Sequence, residues 1–564
     1  MKRALLILIF SIISLPAIAS FRPVIPQATL EIAREAEIRQ AFERPKSQIV
    51  RVGIGDNGFK SYVHSRLGIY GTAELKIFNN DIEIAAIPAE SVVDISMSNH
   101  KYVIENGEVI DEVYGPLRFS CPNGMLGIQG LRRAGGQALY RGDIELVKSK
   151  NDTFHIVNVI EVEDYLKGVV PNEMPVRFGL EALKAQSVAA RNYVLSPRVK
   201  SNPAYDVVDS VASQVYFGAG SEKDLGTKAV EETEGVVAIY GWDLILAQYS
   251  STAGGYTESF ANAFSDPKTR MFPSVPKPYL IAKPDIPTQK PLNIEDDALN
   301  YYKSMPDSFD IKSPYFRWQR TWTREELQKA VQTNLPAQSA TGFVTPAFNR
   351  GQVLPEIVKL DVKRRGDSGK IIELDIVTKG GTYKIFKELV IRRLLTNQGK
   401  ALPSANIAFE HEYDSNDRLV SVTGYGGGFG HGVGLSQYGA GFMATEMRKK
   451  FDEILKHYYT GITLSTKPIV LSANTSPISQ TFYTKDRHAE LVIDNKYKLS
   501  YFLVNINGKE QQVTLSKKER VERVDISKFI KHGHNSIMYF YPQDEDKNKG
   551  IRMFVELVKQ DQDD

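Results

Sequence analysis

The sequence predicts an α+β protein, with a long region of mixed strands and helices followed by a small C-terminal all-β, sandwich-like domain. Three observations carry that reading. From Gln48 the chain runs in short alternating segments, QIVRVGIG, AELKIFNN, IEIAAIP and FHIVNVIEV, the period of half-buried strands. At 161–170 and about 177–195 the period becomes helical, with Val162, Leu166 and Val169 on one stripe and the small residues Ala182, Ala185, Ala189 and Ala190 on the second segment. Beyond about Ser465 only strand runs remain (HAELVID, KLSYFLVNI, QQVTLS, SIMYFYP and RMFVELV), with an Asn507-Gly508 hairpin turn.

Taken in order, residues 1–19 read as a secretory signal. Lys2 and Arg3 precede the apolar stretch Ala4 to Leu15, and Ala17-Ile18-Ala19 supplies the small-residue cleavage pattern. Residues 20–47 form a lead-in, with a short charged helix from Ala28 to Lys46. The mixed region then occupies 48–465. Within it, 235–248 reads as a hairpin about Tyr240-Gly241-Trp242-Asp243, and the proline-rich stretch 266–291 as an irregular loop. One helix is expected from Phe442 to Tyr459, with Met447, Phe451, Leu455 and Tyr458 at helical spacing. The β domain fills 466–564.

The 564 residues carry a net charge of +3, and +1 once Lys2 and Arg3 are removed, so charge argues for neither nucleic acid nor an anionic membrane as partner. No membrane anchor is expected after signal cleavage. The single cysteine, Cys121, has no internal disulfide partner and reads as a buried structural thiol. HExxH and CxxC spacings are absent, which leaves His431 and His457 isolated.

Three segments hold residues suited to chemistry. In EDYLKGVVPNEMPVRFGLEALKAQSVAARNYV, Glu173 sits in a break between Pro171 and Pro175. A carboxyl held on such a turn beside Met174, Val170 and Phe178 has the features of a general acid raised by desolvation. Taken alone, it equally reads as an acid complementing a helix N-terminus, and that plainer reading comes first. Lys184, Ser187 and Arg191 share a helix face, either as donors to an oxygen-rich ligand or as a solvated stripe. The segment YSSTAGGYTES holds Ser250, Ser251 and Gly254 without a nucleophile-elbow pattern. The glycine-dense GYGGGFGHGVGLSQYGAGF surrounds His431, Gln437 and Tyr438, and lacks the Lys-Ser/Thr of a phosphate loop. Trp318 and Trp322 are either sugar-stacking surfaces or core aromatics.

Together and in this order, GVVPNEMP with EALKAQSVAARNY, YSSTAGGYTES, and GFGHGVGLSQYGA with DEILKHYYTGITL resemble the SpoIID/LytB family of cell-wall proteins. SPYFRWQRTWTREEL fits the segment between them, and the resemblance spans about Gln48 to Ser465. It implies a lytic transglycosylase of peptidoglycan glycan strands, acting on strands stripped of stem peptides and needing no cofactor. Glu173 becomes the catalytic acid and base, cutting between N-acetylmuramic acid and N-acetylglucosamine to leave 1,6-anhydro-muramyl ends. Lys184, Gln186, Arg191 and Tyr193 become substrate contacts or supports for Glu173, and Ser250, Ser251, Gly254, His431, Gln437 and Tyr438 the further binding positions. The cysteine- and histidine-containing zinc site of some family members is not expected here. The alternative implied by the LytB branch is a non-catalytic, glycan-binding enhancer of a cell-wall amidase. A third reading is hydrolysis with Asp206 or Asp209 as a second carboxylate. All three place the protein in the secreted, periplasmic or wall-associated space.

Overall fold

The computed structural model describes residues 20–23, 48–133, 136–197, 202–486 and 488–557. The signal segment and the expected helix from Ala28 to Lys46 lie outside them. The described chain is a mixed α+β fold and divides into two compact units, 47–233 with 237–463, and 464–564 with 234–236 and the N-terminal residues.

The larger unit begins with two sheets built from the alternating runs, antiparallel except where Val207–Val208 joins Ile49–Ile54 in parallel. In one, Ile49–Ile54 lies between Phe154–Glu161 and the short strand Val207–Val208. Val50, Val52 and Ile54 point inward from it. Cys121 is buried here as a free thiol. Phe154–Glu161 feeds directly into the helix Val162–Lys167, and the Val162 amide is taken by the Gln48 carbonyl at 2.8 Å.

Downstream, the helix Leu180–Leu195 is enclosed, with every residue from Ala182 to Asn192 buried. Its alanines give neighbouring helices close approach, so packing on several sides replaces the single apolar stripe of a surface helix. Asn192 ties it to the segment after it. Its amide donates to the Ala238 and Ile245 carbonyls, and its side-chain oxygen accepts from the Ala238 N–H. The expected hairpin is therefore short, Val236–Tyr240 against Asp243–Leu244, because Asn192 takes over where the ladder stops.

The third part of this unit combines a three-stranded and a four-stranded sheet with the helices Arg324–Ser339 and Glu388–Leu394. Trp318 and Trp322 are both in its core, their indole N–H groups donating to the Gly428 and Thr396 carbonyls. They are not sugar platforms.

The expected single helix from Phe442 to Tyr459 is in fact two, Gln437–Thr445 and Phe451–Tyr458. Arg448 breaks the path with φ +54°, and Met447 is exposed. A new helix starts because Asp452 and Glu453 supply first-turn acids, and Glu453 accepts the Lys450 N–H at 2.8 Å.

The smaller unit is a two-sheet β structure. One sheet is ordered Ser20–Pro23, Lys509–Thr514, Tyr501–Ile506, Gly533–Phe540, Ile478–Thr484. The other contains Ile551–Leu557 beside Ala489–Asp494 and Val521–Asp525. One core including Phe482, Phe502, Ile493 and Met553 lies between them. Asn507 and Gly508 adopt positive φ, the conformation the two-residue hairpin needs. Ser20–Pro23 is a strand at the edge of the first sheet, antiparallel to Lys509–Thr514.

Candidate active site

Glu173 ends a one-turn helix, Val170–Glu173. Pro171 suits that first turn because no N–H is needed there, and Pro175 forces Met174 into an extended conformation. Asn172 pins the turn by donating to the Gly168 carbonyl at 2.8 Å and to Ser221 Oγ at 2.7 Å. Gly179, at φ +86°, then starts the long helix in a conformation open to glycine.

The Glu173 carboxyl accepts the Val215 N–H at 2.6 Å and hydrogen bonds from the Gln437 and Tyr249 side chains. The residue is half-buried. Loss of water around the carboxyl outweighs these hydrogen bonds and raises its pKa to about 7, and no charged neighbour contributes to the shift. Near neutral pH the group is thus divided between acid and base forms.

A chain of buried polar groups holds the two side-chain donors. Tyr165 OH donates to Gln214 Oε1 at 3.1 Å, and Gln214 Nε2 donates to Tyr249 OH at 2.9 Å, leaving that hydroxyl's proton for Glu173. Tyr193 packs edge-on against Tyr249 with ring centroids 6.3 Å apart. Gln437 Nε2 donates to Gln186 Oε1 at 3.3 Å, and Tyr438 lies edge-on to Phe178 at 4.8 Å.

The other two motif segments pair with each other. Tyr249–Ser250 runs parallel to Leu435–Ser436, and Thr252 bridges Phe429. Gly432 N–H donates to Ser250 Oγ at 3.2 Å, and Tyr438 N–H to the Ser251 carbonyl at 3.0 Å. Gly254, at φ +84°, is required by close approach, since a Cβ there would lie 3.0 Å from the Gly428 nitrogen. Below this layer the buried Asp310 accepts from Gly254 N–H at 2.8 Å and Ser436 Oγ at 3.2 Å. Burial and the nearby Asp285 carboxylate raise its pKa. His431 Nδ1 accepts the Val433 N–H at 3.0 Å, and its ring packs 5.2 Å from Phe264. Burial, then the positive charges of Lys370 and Arg392, push its pKa down to about 3, so it is neutral at physiological pH.

The structure therefore joins Glu173 to Gln437, and through Gln437 and Tyr249 to Gln186 and Tyr193. It gathers Ser250, Ser251, Gly254, His431 and Tyr438 into the paired loops alongside. Lys184 and Arg191 face elsewhere. Lys184 is buried between Glu232, at 2.5 Å, and Glu181, at 3.3 Å, while Arg191 makes a two-pronged pair with Glu163 at 2.6 and 2.7 Å. Both act as braces of the helix behind Glu173. Of the carboxylates considered as hydrolytic partners, Asp206 accepts the Arg51 N–H. Asp209 is fully buried against Arg133 at 2.7 Å. Sequence reasoning missed Tyr249, Gln214, Val215 and Asp310. Tyr249 does open the YSSTAGG segment, but nothing in the spacing of the others marks them.

A lone carboxyl poised near neutrality, backed by a neutral hydrogen-bond network, defines a candidate acid–base site. A family model described as Stage II sporulation protein matches residues 150–240, which include Glu173, and a domain of unknown function (DUF8618) matches 266–434. The chain is 32% identical over 327 residues to Stage II sporulation protein D of Bacillus subtilis (strain 168), covering 55% of this chain and 76% of that protein. It is 30% identical over 334 residues to Stage II sporulation protein D of Bacillus amyloliquefaciens, covering 56% and 78%. It is 34% identical over 303 residues to the amidase enhancer of Bacillus subtilis (strain 168), covering 53% of this chain and 40% of that protein's length. The chain belongs to the SpoIID/LytB family. No helix among the described residues is long and apolar enough to cross a membrane.

Proposed function

We propose that the protein is an exported lytic transglycosylase of peptidoglycan glycan strands, with Glu173 as its acid and base. One observation carries this reading: the Glu173 carboxyl is raised to about 7 by desolvation, with no charged group among the causes. Glycoside hydrolysis usually employs two carboxylates, the second activating water or attacking the sugar. A lone carboxyl suits a reaction in which the substrate provides its own nucleophile. Protonated Glu173 gives its proton to the oxygen leaving muramic acid C1, and the C1–O bond breaks. The resulting carboxylate takes the proton of that sugar's C6 hydroxyl as O6 bonds to C1, closing the 1,6-anhydro ring and restoring the acid. No water is consumed.

Activity at limiting substrate should fall as pH rises through about 7, where Glu173 loses the proton it must donate. Tyr249→Phe removes a hydrogen bond that favours the carboxylate, so its falling limb should lie at higher pH than that of the wild type. A pH–rate profile of strand solubilisation checks this, and an unmoved limb contradicts the role of Tyr249.

A second reading is supported by the relative named amidase enhancer. In it, the protein binds wall glycan and stimulates a partner amidase without cutting the strand. Amidase stimulation that survives intact in Glu173→Gln, with no strand cleavage by the wild type, would favour it.

A further inference from the structure

A cleft of about 550 Å³ opens within the larger unit, away from the Glu173 carboxyl, and is lined by Tyr315, Arg320, Asn397, Lys400 and Phe429 among others. Tyr315 and Phe429 stack at 4.4 Å between centroids, yet remain 37% and 39% exposed. The paired rings thus keep part of their surface open to the cleft. They are also held rigidly: the Gly428 N–H donates to the Tyr315 carbonyl at 2.8 Å, and Phe429 is bridged to Thr252. A flat, electron-rich ring surface suits the C–H face of a pyranose.

The rest of the lining is polar and cationic. Asn397 donates to the Thr321 carbonyl at 2.9 Å and forms a tight turn with Lys400. The Arg320 guanidinium donates one N–H to the Gln319 carbonyl, and its centre lies 5.8 Å from the Trp318 ring. Neither Arg320, partly buried, nor Lys400, exposed, has a carboxylate partner among the described residues.

We propose that this cleft is a carbohydrate subsite for a sugar bearing a free carboxylate, with Tyr315 and Phe429 taking the sugar face and Arg320 and Lys400 the acid. The inference rests on the glycan-strand reading above and deepens it. A muramic acid residue stripped of its stem peptide exposes its lactyl group as a carboxylate, whereas an attached peptide makes the same group a neutral amide. Two unpaired cations beside a sugar platform discriminate between these forms, because a charge-assisted hydrogen bond is stronger than a neutral one.

The test uses the full chain carrying Glu173→Gln, so that bound strands stay whole, with binding followed by calorimetry. Three probes are compared: peptide-free glycan strands, the same strands with their carboxylates converted to amides, and a neutral chito-oligosaccharide. The acidic strands should bind about tenfold more tightly than the amidated ones, with the difference shrinking as salt rises. Adding Arg320→Gln and Lys400→Gln should erase that difference and leave chito-oligosaccharide binding unchanged. Phe429→Ala should weaken all three. A preference for the acidic strands that survives the double substitution overturns the proposal, as does equal binding of acidic and amidated strands by the parent. Since no bond is cut in these measurements, failure of the transglycosylase reading leaves the charge preference intact and is seen separately, in the products of the wild type.

Discussion

Glu173→Gln should lower glycan-strand cleavage by at least about a thousandfold while leaving the fold intact. General acid–base groups typically contribute 10²–10⁴-fold, and here one carboxyl performs both proton transfers, so the upper part of that range applies. The amide replacement still accepts the Val215 N–H, which keeps the turn in place. Stability should respond in a way specific to a raised carboxyl. The folded-state pKa of about 7 exceeds the ordinary 4.5, so the folded protein holds this proton more tightly than the unfolded chain. That stabilisation is fully present below pH 4.5 and is lost as pH rises through about 7, a swing on the order of 3 kcal/mol. Glu173→Gln has no such loss. Its melting temperature should therefore exceed that of the wild type at pH 8 and match it near pH 4. Equal melting curves at both pH values would contradict the burial of the carboxyl.

Asp209→Asn should destabilise the larger unit by about 3–5 kcal/mol, the cost of leaving a buried partner charge uncompensated. Arg133 and Asp209 are 1% and 0% exposed along their side chains, and Asp209 also accepts the Gly55 N–H at 3.2 Å. Burial raises the Asp209 pKa and the Arg133 charge opposes that rise. Denaturant unfolding should show the midpoint moving sharply down. Cleavage per folded molecule, measured well below that midpoint, should stay at the wild-type rate. A loss of activity in folded protein would instead restore Asp209 as a second catalytic carboxylate.

Much of the fold was legible because local pattern and tertiary environment agree. The alternating runs from Gln48 became sheets, and Asn507-Gly508 turned a hairpin. The alanines of the long helix announced close packing on several sides. The failures share one cause, that spacing shows which residues share a face and not what that face meets. Lys184 and Arg191 were readable as displayed donors, but Glu232, Glu181 and Glu163 meet them from other elements. Met447 kept helical spacing across a break that depends on Arg448 and on the Glu453 cap. Glu173 stood out as a lone acid between prolines. Its setting did not, because Tyr249, oriented by Gln214, and Gln437 are brought to it by a parallel pairing between Tyr249–Ser250 and Leu435–Ser436, segments far apart in the chain.

The most direct measurement is the chemical nature of the ends produced when the wild-type protein acts on peptide-free glycan strands. Mass spectrometry should find muramyl ends closed as 1,6-anhydro rings, one water lighter than reducing ends, and none in Glu173→Gln. Reducing ends in their place, or strands left whole by the wild type, would contradict a lone Glu173 acting as acid and base.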